Sequence, residues 1–142
     1  MTIGRIISNR HLDIVHCSPE ASVREAASLL AERRIGALPV LSGDSVVGIF
    51  SERDLLYCVA RDGEAVLGRR VSEVMTSPAI TVDPSTSVLE AASLMTERRI
   101  RHLPVMEAGK LIAFVSIGDI VKYRLEQVEG EAAAMRDYIR TA

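Results

Sequence analysis

Features that mark several large functional classes are missing from this sequence: it has no tryptophan, only two cysteines and no long apolar run. Its charge-free stretches are far shorter than the roughly 20 residues that cross a bilayer. Polar residues interrupt positions 1–10, where a signal peptide needs an apolar core. Cys17 and Cys58 match no metal-ligand or disulfide spacing, which predicts free thiols. We therefore expect a cytoplasmic protein without a membrane segment or a disulfide framework.

Excess positive charge and catalytic motifs are missing as well. The chain has 17 basic and 19 acidic residues and a net charge of −2, whereas a protein that grips nucleic acid usually shows a basic excess. His11 and His16 have no metal-ligand partners at suitable spacing. Neither cysteine lies in a nucleophile motif, and no phosphate-binding loop or dinucleotide glycine fingerprint occurs. We expect no catalytic activity, no metal and no nucleic-acid partner.

What the sequence does contain is an internal repeat. Residues 19–29 recur as residues 84–94, Leu38-Pro-Val40 recurs as Leu103-Pro-Val105, and Ser51-x-x-Asp54 recurs as Ser116-x-x-Asp119. The offset is 65 residues throughout. Two copies are too few for a solenoid, which needs about three. With 48% apolar residues in 142, the chain is expected to form two small units related by a pseudo-two-fold axis.

Each copy predicts the same order of elements. Ser22 and Ser87 are followed three residues later by glutamate, the spacing of a capping box at a helix start. An apolar helical stripe follows in each copy. Two short strands come next, at 36–41 with 46–50 and at 101–106 with 111–115, and a second helix starts after Ser51 and Ser116. Short extended pieces at 13–17 and 79–82 precede each unit. The fold class is therefore α+β.

The second helices and the tail differ between the copies. Residues 55–60 are apolar almost all round, which predicts a helix buried on more than one side, one of them against another subunit. The tail carries Val128, Ala132, Met135 and Ile139 at helical spacing, which predicts an additional amphipathic helix. We divide the chain into a first unit (1–60), a linker (61–70), a second unit (71–125) and a helical tail (126–142).

These tandem motifs resemble the cystathionine beta-synthase (CBS) domain pair. The resemblance rests on the two Leu-Pro-Val strands, on Gly48-Ile-Phe-Ser-Glu-Arg-Asp54 with its counterpart at 113–119, and on the segment 71–78. It covers about residues 1–125. The resemblance implies two tandem β-α-β-β-α units packed with pseudo-two-fold symmetry. It also implies clefts for adenosyl ligands (AMP, ADP, ATP, NAD or S-adenosylmethionine), pairing into a homodimer, and regulation of another protein without catalysis.

The two Ser-x-x-Asp pairs have two readings. A serine at a helix start with aspartate three residues on caps exposed backbone N–H groups. The resemblance adds a second role, in which Asp54 and Asp119 accept hydrogen bonds from ribose hydroxyls and Ser51 and Ser116 lie beside them. We expect the contact to be weaker at Asp119, because Ala113 stands where the family motif often has glycine, and its methyl group would crowd the cleft.

Phosphate and adenine need different surroundings. Phosphate needs positive charge or N–H donors, and Arg101 and His102 are the first candidates, with Arg53 a weaker one. If His102 must be protonated, binding falls above pH ~6.5. For adenine, the resemblance implies apolar contacts from Ile14, Val15, Ala79 and Ile80. A surface role for the basic residues and a core role for the apolar ones remain open. Gly36 and Ala37 replace Arg101 and His102 in copy one, so the two clefts are expected to differ.

Two functions of different classes follow. The first is an adenine-nucleotide sensor that acts on an unknown partner protein. The second is an interaction or assembly module whose clefts are vestigial. The Ser-x-x-Asp pair, present twice, favours the sensor.

Overall fold

The computed structural model describes residues 1–8 and 13–141, and it confirms the α+β class with two similar units and a C-terminal helix. His11 and Ala142 lie outside the described residues. In chain order the elements are α1 (Ile3–Ile7), α2 (Val23–Arg33), β1 (Ala37–Ser42), β2 (Ser45–Ser51), α3 (Glu52–Asp62), a 3-10 helix (Gly63–Gly68), α4 (Val71–Val74), α5 (Val88–Arg98), β3 (His102–Glu107), β4 (Lys110–Ser116) and α6 (Ile117–Thr141).

Helices α2 and α5 begin at the serines that the capping pattern indicates. The Ser22 hydroxyl accepts a hydrogen bond from the Glu25 N–H at 3.0 Å, and the Glu25 carboxylate accepts one from the Ser22 N–H at 3.4 Å. Ser87 accepts in the same way from the Glu90 N–H. Both helices end at an arginine in the left-handed conformation, which turns the chain towards the following strand.

Each unit contains one antiparallel strand pair, β1 with β2 and β3 with β4. The extended pieces predicted at 13–17 and 79–82 contribute one parallel bridge each, Cys17 to Val40 and Val82 to Val105, rather than a full strand. Proline explains the short pairing. The Val82 N–H donates to the Pro104 carbonyl, but the next rung towards Ile80 would need an N–H on Pro104, which proline lacks.

Two short helices are exchanged between the units. In α1, the Ile3 N–H donates to the Thr86 carbonyl at 2.8 Å, and Ile3 is fully buried in the second core. In α4, the Val71 N–H donates to the Ala21 carbonyl at 2.8 Å, and Val71 is fully buried in the first core. Each unit therefore completes its core with a segment that precedes the other unit in the chain, and this exchange holds the two units in a pseudo-two-fold arrangement.

Helices α3 and α6 differ from the sequence prediction in two ways. In α3 only Cys58 is buried, while Leu56 and Tyr57 are 65% and 64% exposed, so within one chain this helix is covered on a single side. The tail does not form a helix of its own, because α6 continues without a break to Thr141. None of the helices in the described part of the chain has the length and apolarity needed to cross a membrane.

Candidate nucleotide-binding clefts

Two clefts lie between the units, and each takes equivalent parts from opposite copies. Cleft one has a volume of about 580 Å³ and is lined by Gly36, Ala37, Ile49, Ser51, Glu52, Arg53, Asp54, Leu56, Tyr57, Thr76, Pro78, Ala79, Ile80, Arg99, Ile100, Arg101 and His102. Cleft two has a volume of about 430 Å³ and is lined by Asp13, Ile14, Val15, Arg34, Ile35, Gly36, Ala37, His102, Phe114, Ser116 and Asp119. Both volumes are in the range of small-molecule sites.

The start of α3 forms one wall of cleft one. Asp54 Oδ2 accepts hydrogen bonds from the Ser51 N–H and from the Ser51 hydroxyl, both at 2.9 Å, and the Asp54 N–H donates to the Ser51 hydroxyl at 3.2 Å. This is a complete capping box, so the capping role predicted for the pair is present. The carboxylate is half-buried at the cleft wall, and the helix start adds a local preference for negative charge.

Thr76 holds the other oxygen of Asp54. Its hydroxyl donates to Asp54 Oδ1 at 2.9 Å, and its backbone pairs with Ile49 across β2. The backbone at Met75 and Thr76 can approach β2 this closely because Gly48 has no side chain. A Cβ at Gly48 would lie 2.6 Å from Met75 Sδ and 2.8 Å from the Thr76 carbonyl oxygen. Sequence reasoning missed Thr76 as a cleft residue, although it lies in the segment 71–78 that carried part of the resemblance.

Arginines also line cleft one. Arg101 is exposed and lies at the entry to β3, and its backbone is fixed because its carbonyl accepts from the Ile117 N–H at 2.8 Å. Arg53 donates from Nη1 to the Arg99 carbonyl at 3.0 Å, which joins the start of α3 to the end of α5. Arg99, at the C-terminal end of α5, also lines the cleft. Three arginines face two carboxylates, Glu52 and Asp54, so cleft one is net positive.

His102 lies between the two clefts and lines both of them. Its ring stacks on Phe114, with ring centroids 5.3 Å apart and an interplanar angle of 14°. Burial lowers the pKa of His102 below its ordinary value of 6.5, and this outweighs the opposing charges of Asp119 and Glu52. His102 is therefore neutral at neutral pH, and the positive charge of cleft one comes from its arginines rather than from this ring.

This lowered pKa predicts that stability depends on pH. Between the lowered pKa and 6.5, the unfolded chain binds more protons than the folded one. The contribution of His102 to the free energy of unfolding is therefore fully present above pH 6.5 and decreases as the pH falls through that window. His102→Phe keeps a ring against Phe114 and is expected to remove this slope. Urea titrations at about pH 7.5 and about pH 5.5 measure it. The control is His16→Gln, which removes an exposed imidazole; an unchanged slope in His102→Phe contradicts the prediction.

The apolar residues that the sequence suggests for adenine line the two clefts. Ala79 and Ile80 line cleft one, and Ile14 and Val15 line cleft two; all four are half-buried. Because Pro104 donates no hydrogen bond, the Ile80 carbonyl has no partner from β3. Ile80 therefore presents both an apolar side chain and a backbone acceptor at the cleft, which are the two features that an adenine ring and its amino group require.

Cleft two carries the second Ser-x-x-Asp pair but little positive charge. Asp119 Oδ2 accepts from the Ser116 N–H at 2.7 Å, and the Asp119 N–H donates to the Ser116 hydroxyl at 3.1 Å. Arg34 faces two carboxylates, Asp13 and Asp119, which leaves this cleft net negative. Ala113, which we expected to crowd this cleft, is fully buried in the second core and is not among the residues that line the cleft.

The structure brings together every sequence-predicted residue, divided between the two clefts. Cleft one takes Ser51, Arg53, Asp54, Ala79, Ile80, Arg101 and His102, and cleft two takes Ile14, Val15, Ser116 and Asp119, with His102 shared. Among residues 1–8 and 13–141, no group of three or more His, Cys, Asp or Glu side chains is arranged to hold a metal ion. The two clefts share Gly36, Ala37 and His102 and differ in the other charged residues that line them.

Known proteins share this architecture. Residues 3–61 and 71–126 match the CBS domain. The mitochondrial CBS domain-containing protein CBSX3 of Arabidopsis thaliana is 34% identical over 129 residues, which cover 87% of this chain and 63% of CBSX3. The chain thus spans less than two thirds of that relative.

Solved structures give the same result. The CBS-domain containing protein ATU1752 from Agrobacterium tumefaciens is 37% identical with a TM-score of 0.83, and the match covers 87% of this chain and 99% of that one. CBSX2 of Arabidopsis thaliana, solved in complex with AMP, is 32% identical with a TM-score of 0.76, over 88% of this chain and 96% of that one. With both tandem repeats matched and the fold shared, this chain belongs to the CBS domain family.

Proposed function

We propose that the chain is a regulatory module that binds an adenine nucleotide (AMP, ADP, ATP or NAD) in cleft one and acts on a separate partner protein as a signalling or energy sensor. One observation carries the proposal. Cleft one places the acceptor Asp54, the apolar Ile80 and the basic Arg101 around a single space of about 580 Å³. These groups complement, in turn, a ribose, an adenine and a phosphate.

The chemistry of each contact fits a nucleotide. A carboxylate oxygen accepts more than one hydrogen bond, so Asp54 Oδ1 accepts from a ribose hydroxyl as well as from Thr76. Arginine binds phosphate through charge-assisted hydrogen bonds, which are about twice as strong as neutral ones. Nothing in this set acts as a nucleophile or a general acid, and we propose no catalytic step and no metal. The AMP complex of the relative CBSX2 supports the ligand class.

The second candidate is an interaction or assembly module with vestigial clefts, and one observation favours it. Both oxygens of Asp54 are already hydrogen-bonded within the chain, and Arg53 is held by the Arg99 carbonyl. These polar side chains already have partners in the absence of a ligand, as the groups of a vestigial cleft would. This candidate predicts that nucleotides leave the stability of the protein unchanged.

Thermal unfolding distinguishes the two candidates. A ligand at 100 times its dissociation constant adds about 2.7 kcal/mol to the free energy of unfolding, which raises Tm by roughly 6–10 °C for a chain of this size. The panel contains AMP, ADP, ATP, NAD, NADH and S-adenosylmethionine. GMP is the control for base selection by the Ile80 backbone. A folded protein whose Tm responds to none of the adenosyl ligands supports the interaction module instead.

We further propose that the protein is a cytoplasmic homodimer. The exposed apolar side chains of α3 are Leu56, Tyr57 and Val59, and the first two also line cleft one, so the proposed dimer face adjoins that cleft. The relative CBSX3 is mitochondrial.

A further inference from the structure

The second half of α6 extends away from both cores. The helix has 25 residues and is about 37 Å long, yet its one buried residue is Ile120, in the first turn. Val128, Met135 and Ile139 are 45%, 59% and 66% exposed. Most helical stability in proteins comes from packing of an apolar face, and Gly130 in the middle of the segment costs about 1 kcal/mol relative to alanine. A partner surface would supply the packing that this chain does not.

The exposed apolar residues of α6 follow a heptad. The seam consists of Val121, Leu125, Val128, Ala132, Met135 and Ile139. Their spacings alternate between four and three residues, which is the pattern of the a and d positions in a coiled coil. The seam occupies one side of the helix over three heptads, about the minimum at which such a pattern is informative. A two-stranded coiled coil therefore fits this surface better than a groove of irregular shape.

The charges beside the seam select a second copy in parallel orientation. In a parallel pair, each g residue faces the e residue five positions later on the other helix. Arg124 then faces Glu129 of the second copy, and Glu131 faces its Arg136. Both contacts are between opposite charges. Because the pair of helices has two-fold symmetry, each contact occurs twice.

An antiparallel pair has the opposite outcome. The antiparallel alignment that covers the whole seam brings Glu129 next to Glu129 of the second copy and Glu131 next to its Glu131. Lys122 then meets Arg136. Like charges across a helix pair are destabilising, so complementarity of charge favours the parallel arrangement.

We propose that residues 121–141 pair with the same segment of a second copy of this chain as a parallel two-stranded coiled coil. The pairing joins two modules through the second half of α6, which lines neither cleft. The second copy of α6 also covers the exposed apolar face, because the two helices have the same apolar spacing and carry opposite charges at the positions that meet.

Cysteine cross-linking tests this arrangement in the full-length protein. Ala132 lies in the seam and Ala134 lies two residues away on the outer surface, so Ala132→Cys and Ala134→Cys are the same substitution in two settings. Mild oxidation is expected to convert most of Ala132→Cys into a covalent dimer and little of Ala134→Cys. The native thiols provide a low background, because Cys58 is buried and burial raises the pKa of Cys17 to about 11.

Each other outcome overturns the proposal. Equal cross-linking of the two variants, or none in a folded Ala132→Cys protein, excludes a paired seam. Efficient cross-linking only in a mixture of Val128→Cys and Ala132→Cys proteins indicates antiparallel helices, because a residues then meet d residues. Light scattering of the unoxidised wild-type protein distinguishes a monomer from a dimer that is held by another surface such as α3.

Charge reversal provides an independent test. Glu131→Lys and Arg136→Glu each place like charges across the parallel pair and are expected to weaken dimerisation about tenfold. The double variant Glu131→Lys with Arg136→Glu restores the opposite charges and is expected to recover wild-type affinity. Neither residue has an oppositely charged neighbour three or four positions away on its own helix. Failure of the double variant to recover affinity contradicts the parallel pairing.

Discussion

Asp54→Asn is expected to weaken AMP binding about 10- to 100-fold in a protein that remains folded. The asparagine keeps one side-chain oxygen, which accepts the Ser51 N–H and preserves the start of α3. Its NH₂ group takes the place of the other carboxylate oxygen and donates where a ribose hydroxyl also donates. Losing a hydrogen bond to a charged group costs about 1.5–3 kcal/mol. Isothermal titration calorimetry with AMP measures the change.

The two carboxylate oxygens of Asp54 have different hydrogen-bond partners and therefore different roles. Oδ2 accepts two hydrogen bonds from Ser51, both at 2.9 Å, whereas Oδ1 accepts one from Thr76 at 2.9 Å. Each oxygen has about two acceptor directions. Oδ2 is therefore occupied by the helix cap, and Oδ1 retains a direction for a ligand at the wall of cleft one.

Two controls separate capping from ligand binding. Glu25→Ala removes the carboxylate that accepts from the Ser22 N–H in the cap of α2, and Glu25 lines neither cleft, so this variant is expected to lower Tm and leave the dissociation constant of AMP unchanged. Thr76→Val removes the hydroxyl beside Oδ1 but leaves the carboxylate, so its effect on AMP is expected to be smaller than that of Asp54→Asn. If folded Asp54→Asn binds AMP as tightly as the wild type, Asp54 has only its capping role.

Local chemistry made much of the fold predictable. The serine caps, the Leu-Pro-Val strands and the constant offset of 65 residues determine elements within one copy, where neighbouring residues decide the outcome. The exchange of α1 and α4 was not predictable in this way. It depends on hydrogen bonds such as Ile3 N–H to the Thr86 carbonyl, and a five-residue helix has no periodic signal of its own.

The tail shows a related difference. The apolar spacing after residue 126 predicted helix, which the structure confirms. The same spacing did not show where that helix begins, because residues 117–126 are equally compatible with one. No proline and no helix-ending loop separates the two parts, so α6 forms as one helix to Thr141.

The site was predictable in its residue types and less so in its charges. The repeat pointed to Arg101 and His102 against Gly36 and Ala37, and the two clefts do differ in charge. Arg34 and Arg99 lie in the left-handed conformation at the ends of α2 and α5, and each also lines a cleft, which a position at a helix end does not indicate. The protonation of His102 depends on its burial against Phe114. A sequence pattern does not indicate this burial, because the two residues come together only in the folded chain.

The largest difference between ligands is expected when the basic wall of cleft one is removed. Arg101→Gly with His102→Ala installs the two residues that copy one carries at positions 36 and 37, so the chain itself provides a precedent for them at a strand entry. AMP affinity is expected to fall about 10- to 100-fold, because charge-assisted hydrogen bonds to phosphate are lost. Adenosine, which has no phosphate, is expected to change little.

Single substitutions divide this effect between the two residues. His102 is neutral at neutral pH because burial lowers its pKa, so Arg101→Ala alone is expected to reproduce most of the loss of AMP affinity at about pH 7.5. His102→Ala alone is expected to have a smaller effect there. Arg33→Ala is the control for the removal of one exposed arginine, since Arg33 lines neither cleft.

Salt dependence shows whether the effect is electrostatic. AMP binding to the wild type is expected to weaken as salt rises, and binding to Arg101→Ala is expected to depend less on salt, because one cation no longer contributes to the field of the cleft. Calorimetry with AMP and with adenosine at two salt concentrations gives the comparison. If both ligands lose affinity equally, Arg101 only shapes the entry to β3. The phosphate is then held by Arg53 or Arg99, which the hydrogen bond between Arg53 and the Arg99 carbonyl already places on the same wall.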